Sequence, residues 1–285
     1  MGGNKSDEWS DIITSDQKLI DLKLKEVWKY RDLLFMLVKR DFVSVYKQTI
    51  LGPLWFFIQP ILTTITFTVI FGNLAGISTD GLPHILFYLA GITFWNYFAV
   101  CLERSSTVFR DNQSVFGKVY FPRLVVPLGL AVSNLIKFSI QFGLFAAVLC
   151  YYILFTEVEI DINYVAFMFP LLVIMIAGIA LGIGMIITSL TNKYRDLVFL
   201  ITFGIQLLMY ATPVIYPLSS VPEKMKIWLV LNPLTSIIET FKFGFLGKGT
   251  FDILYLTYSF VFMLVIVCVG TIIFNKTEKN FMDTV

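Results

Sequence analysis

The 285 residues are 57% hydrophobic and only 15% charged, with a mean hydropathy of +0.77. Soluble domains hold roughly 45–50% apolar and about 25% charged residues, so this excess is too large for one aqueous core. A formal net charge of +2 makes no case for a nucleic-acid partner, and in a chain of this kind the placement of Lys and Arg matters more than their sum.

Residues 1–16 are polar and acidic and lack the basic start and short apolar centre of a cleavable signal. Residues 18–30 place Leu19, Leu22, Val27, Trp28 and Tyr30 among Lys18, Lys23, Lys25 and Lys29. That pattern suits a basic amphipathic helix on an anionic membrane face, with an ordinary solvated helix as the alternative. Apolar runs near or above the ~20 residues needed to cross the bilayer then follow. They predict spans at 52–71, 84–102, 124–155, 163–190, 197–216 and 251–274. The third is longer than a bilayer requires, through tilt or an extension beyond the membrane. A further stretch, 227–246, is interrupted by Asn232-Pro233, Glu239 and Lys242 and is expected to form a re-entrant hairpin. The expected fold class is therefore an all-α integral membrane protein. A segment 1–51 bears the interface helix, a six-span domain covers 52–274, and a tail covers 275–285.

Basic residues fall in alternate loops: Lys39, Arg40 and Lys47; Arg104, Arg110, Lys118 and Arg123; Lys193 and Arg195; Lys276 and Lys279. The loop 73–83 has no Lys or Arg, and 156–162 carries Glu157, Glu159 and Asp161. The positive-inside rule then places both termini in the cytoplasm. Segment 217–250 departs from the pattern by carrying Lys224, Lys226, Lys242 and Lys248 on the predicted outside.

Candidate chemistry is sparse. There is no Gly-x-x-x-x-Gly-Lys-Ser/Thr loop to cradle phosphates, and the glycine-rich 244–250 has the wrong spacing. His84, the sole histidine, sits at the end of a span without a nucleophile pattern, and the three cysteines lie in apolar runs. No catalytic residue and no metal ligand is expected. Lys137, with Ser133, Asn134 and Gln141 at helical spacing, gives the third span a polar face. That face turns to a wet path or lets Lys137 snorkel to the interface. Gln59, Thr63 and Thr66 form a second stripe beside Pro60, serving either a channel or helix packing. Most of the polar-tipped aromatics suit a belt at the membrane interface, and among them Tyr88, Trp95, Tyr210 and Tyr216 are the candidates for stacking on sugar rings along a channel. Glu and Asp are nearly confined to loops and ends, against a proton-coupled carrier.

Several strings, in order, resemble one family. They are Lys39-Arg40-Asp41, the run 46–55 from Tyr46 to Trp55, Gln59-Pro60, Phe121-Pro122-Arg123, Tyr194-Arg195-Asp196-Leu197, the run 212–217, and Asn232-Pro233-Leu234-Thr235 with Glu239. Their order and spacing resemble the type-2 ABC exporter permeases that move O-antigen, teichoic acid and capsular polysaccharide. The resemblance implies a homodimer of six-span subunits in the bacterial inner membrane with two cytoplasmic ABC ATPase subunits, which bind the ATP and Mg that this chain does not. The implied cargo is a polyprenyl- or glycolipid-linked polysaccharide, as in lipopolysaccharide biosynthesis. Arg40, Tyr46, Lys47, Leu51 and Gly52 would frame a lipid head-group portal, and Arg110, Lys118, Tyr120, Phe121 and Arg123 would couple to the ATPase. Family members often carry Arg where this chain has Val45, which leaves Arg40 and Lys47 as the candidate cations. Export of a small lipid or drug is the alternative within the family.

Overall fold

A computed structural model describes residues 24–47, 50–116, 121–191, 193–194 and 196–282, and among them every regular element is helical. Two helices precede the first span, α1 (Leu24–Lys29) and α2 (Arg31–Tyr46). The first span opens with a 3-10 turn (Gly52–Leu54), continues as α3 (Trp55–Phe67) and ends in a π-helical stretch (Thr68–Leu74). Then come α4 (His84–Ser105), the short α5 (Val108–Asp111) and α6 (Gln113–Phe116), and the 31-residue α7 (Val125–Phe155). A 3-10 turn (Tyr164–Met168) leads into α8 (Phe169–Thr191), followed by α9 (Leu197–Tyr210), α10 (Glu223–Val230), α11 (Pro233–Leu246) and α12 (Ile253–Met282).

Among the described residues, five helical stretches are long and apolar enough to cross a membrane: Gly52–Leu74, His84–Ser105, Val125–Phe155, Tyr164–Thr191 and Ile253–Glu278. They match five of the six expected spans to within a few residues, the last running on past 274. The fifth expected span, 197–216, is not one helix. Its α9 has 14 residues, about 21 Å at 1.5 Å per residue, short of the ~30 Å hydrocarbon layer. The helix stops because Pro213 cannot donate to the ladder and disfavours helical backbone at Thr212. The non-helical link that follows stays buried through Thr212, Val214 and Ile215. The stretch expected as a hairpin forms two helices, α10 and α11, bent by 103° around Asn232-Pro233.

α4 is the hub. Its residues 86–98, Asn96 apart, are all buried, and it packs against α3, α7, α8 and α11. Phe94 stacks within a cluster of Phe138, Phe169 and Phe241, with the Phe94 and Phe241 ring centroids 4.3 Å apart. α8 and α12 meet at glycines: a Cβ on Gly270 would stand 2.5 Å from Gly182 O, so only glycine lets these backbones approach so closely. At the basic end a smaller core gathers Val27, Phe109, Phe116, Phe121 and Phe274. The basic stretch before the first span is itself helical as α2, an element the sequence pattern did not reveal. It packs against α7, with Val38 and Asp41 buried and Phe35 and Met36 exposed. Of the expected interface helix 18–30, only residues 24–30 fall among those described; there Val27 is buried and Trp28 is 70% exposed.

Candidate functional site

Successive residues on a helix lie about 100° apart, and α4 uses that offset to serve two grooves. Trp95, Ala99 and Glu103, four residues apart, face α9, where Thr202, Ile205, Gln206, Met209 and Tyr210 complete a groove of about 300 Å³. Asn96, Val100 and Arg104, one position on, face α3 and α7. There they meet Trp55, Phe56, Gln59, Asn134, Lys137 and Gln141 around a groove of about 340 Å³.

The structure thus unites two pairs of expected channel residues, Trp95 with Tyr210 and Gln59 with Lys137. In the second groove Lys137 Nζ donates to Asn134 Oδ1 at 3.2 Å and lies 6.0 Å from the centre of the Phe56 ring. Tyr97 closes the floor, its hydroxyl donating to Ala131 O at 3.4 Å. The Lys137 side chain is half-buried between helices. The sequence pattern missed Asn96 and Arg104 as partners of Lys137, although Asn96, Val100 and Arg104 repeat at four-residue spacing.

Other expected channel residues go elsewhere. Tyr88 is fully buried, edge-on to Phe67 and Phe87, with its hydroxyl unpartnered. Thr63 donates its hydroxyl to Gln59 O of its own helix at 2.9 Å, and Thr66 is exposed. Tyr216 closes onto the end of α9 by donating to Tyr210 O at 3.0 Å.

At the expected portal, α2 ends at Tyr46 with Lys47 exposed at its cap, and Leu51 and Gly52 lead into α3. Gly52 has φ +49°, a left-handed conformation that glycine adopts without strain. Arg40 is exposed but already engaged: its Nη2 stands 2.9 Å and its Nε 3.0 Å from Asp41 Oδ1.

The expected coupling segment differs from expectation in which way its side chains turn. Phe121 and Arg123 are buried, not offered outward. Phe121 packs on Phe116, and the Arg123 guanidinium sits 5.0 Å over the Phe116 ring and 3.8 Å from Glu278 of α12. Burial lowers the Arg123 pKa and the Glu278 carboxylate raises it again. Thr191 donates to Ser106 O at 2.7 Å, and Thr188 accepts from Phe109 N, fastening the segment to α8. The outward surface is instead Arg110, Asp111, Gln113 and Ser114, with Arg110 paired to Asp111 at 3.0 Å. Lys118 and Tyr120 lie outside the described residues.

At the opposite end, the broken backbone after α9 is held by side chains of the hairpin. Asn232 donates to Ala211 O and the Thr212 hydroxyl at 3.1 and 2.8 Å, and its Oδ1 caps α11 at Leu234 N. Lys242, 1% exposed, donates to Pro213 O at 2.6 Å, lies 3.8 Å over the Phe87 ring and 3.8 Å from Glu239. Glu239 in turn accepts from Thr250 N at 3.1 Å. Irregular backbone is tolerated at membrane depth only with such internal partners.

The family model described as "ABC-2 type transporter" matches residues 32–246. The chain is 27% identical over 252 residues to an O-antigen export system permease protein RfbA of Klebsiella pneumoniae, covering 88% of this chain and 94% of the relative. It is 24% identical to the protein of the same name from Myxococcus xanthus over 264 residues, 92% of this chain and 98% of the relative. The inner membrane transport permease YadH of Escherichia coli is 22% identical over 217 residues, 72% of this chain and 78% of the relative. With five helices able to span a membrane and a family match that covers most of its length, the chain belongs to the ABC-2 type transporter family.

Proposed function

We propose that this chain is the permease subunit of an ATP-driven exporter that carries lipid-linked polysaccharide of the O-antigen, teichoic acid or capsule type out of the cytoplasm across a bacterial inner membrane. One observation carries the reading: relatives named as O-antigen export permeases align with nearly the whole chain. In this reading two copies pair, two ATPase subunits dock on the cytoplasmic face with their own ATP and Mg, and both termini are cytoplasmic. The Trp95–Tyr210 groove supports it chemically, since aromatic faces beside Thr202, Gln206 and Glu103 suit sugar rings with their hydroxyl rims.

Lys47 and the Leu51–Gly52 turn frame the lipid portal with α2. Arg40 joins in by exchanging its Asp41 partner for a lipid phosphate. ATPase coupling falls to the exposed tip around Arg110, held rigid by Phe121 and Arg123 behind it. Deleting the chain in its host tests the function: lipid-linked polymer accumulates inside the cell, and the tagged chain co-purifies with an ABC ATPase. Normal surface polysaccharide in the deletion strain overturns the proposal.

A further inference from the structure

The groove between α3, α4 and α7 is electrostatically unbalanced. Two cations, Arg104 and Lys137, and four neutral amides, Gln59, Asn96, Asn134 and Gln141, line it, and no carboxylate does. The Arg104 charge acts on Lys137, and like charges in a partly desolvated space repel unless an anion joins them. Asp41 is the carboxylate whose charge reaches Lys137, but it does not line the groove and its Oδ1 already holds Arg40.

A second observation points the same way. Asn134 is 2% exposed, and its Oδ1 is taken by Lys137 while its Nδ2 meets only the Cys101 thiol, a weak acceptor. A buried donor so weakly met is costly, and it lines the same groove as two cations that want the same kind of acceptor. An oxygen-rich anion answers all three at once. Trp55, Phe56 and Phe138 supply apolar walls next to it, and Trp55 and Gln59 are exposed on α3.

We infer that this groove binds the phosphate or diphosphate head group of an isoprenoid lipid carrier, with Arg104 and Lys137 on the anion's oxygens, Asn134 Nδ2 as a further donor, and the first isoprene units against Trp55 and Phe56. The inference rests on the lipid-linked cargo proposed above and adds a site apart from the α2 cations. Lys137 stands twelve residues into α7, about 18 Å along its axis.

Binding of farnesyl diphosphate to the full-length chain in phosphatidylcholine nanodiscs, with inorganic pyrophosphate as competitor, tests it. Lys137→Met and Arg104→Gln should each weaken binding about tenfold, the scale of one charge-assisted contact. Lys137→Arg should keep affinity within about threefold, showing that charge is required and that the variants fold, because Arg serves phosphate as well as Lys does. Lys226→Gln, at the far end beside Glu223, should change nothing. Pyrophosphate that displaces the lipid at equal concentration keeps the anion site but makes its source a soluble diphosphate. Wild-type affinity in both Lys137→Met and Arg104→Gln, or no binding to the wild type, overturns the inference. The cargo reading fails separately: if the deletion strain exports polysaccharide normally while Lys137-dependent binding persists, the anion site stands and the function falls.

Discussion

Two lysines inside the helical bundle meet opposite fates. Lys242 is enclosed by a carboxylate, a carbonyl and an aromatic face, every one of them supplied by the chain itself. Lys137 has one neutral acceptor, the Phe56 ring at 6.0 Å, an arginine along the same open groove and a carboxylate, Asp41, already engaged by Arg40. A charge within a membrane is expensive in either place, so the difference lies in what meets the ammonium group. One lysine is a fixture of the fold, and the other is left with valence for a ligand.

The contrast can be broken by substitution, most severely at the enclosed pair. Lys242→Met should destabilise the protein by about 3–5 kcal/mol, because it strands Glu239 in a buried site. Thermal unfolding in detergent reads the loss. Adding Glu239→Gln should recover most of it, and a double variant as unstable as the single one would show that the pairing is not what matters. Asn232→Ala should cost about 1–2 kcal/mol, through the lost cap of α11 and the uncovered carbonyl of Ala211. Lys137→Met should sit at the small end, within about 1 kcal/mol of wild type, because the charge-assisted bond to Asn134 that it loses is offset by removal of a costly cation from between the helices, yet it should abolish export in a complementation assay. If Lys137→Met were as unstable as Lys242→Met, the two lysines would be alike and the contrast would disappear.

The spans were readable because long apolar runs have few alternatives to a helix in lipid. The fifth failed for a physical reason: the apolar run continues to Tyr216, and hydropathy does not distinguish a helix from a buried link whose carbonyls are met by Asn232 and Lys242. The polar face of α7 was visible from the spacing of Asn134, Lys137 and Gln141. Its partner stripe on α4 was not, because Arg104 reads as an ordinary loop cation at a span end. In the segment 103–123 it was the family resemblance that offered Phe121 and Arg123 as anchors for an ATPase. Which way an aromatic turns depends on tertiary neighbours such as Phe116 and Glu278, and those are far apart along the chain.

The ties among Ala211, Thr212, Pro213, Asn232 and Lys242 also constrain motion. They bind the end of α9 and the whole bent hairpin into a single plug. Any widening of that end must swing the plug as a rigid unit. Cysteine staples within 211–246 should therefore leave transport running, while a staple from the plug to α4 should stop it.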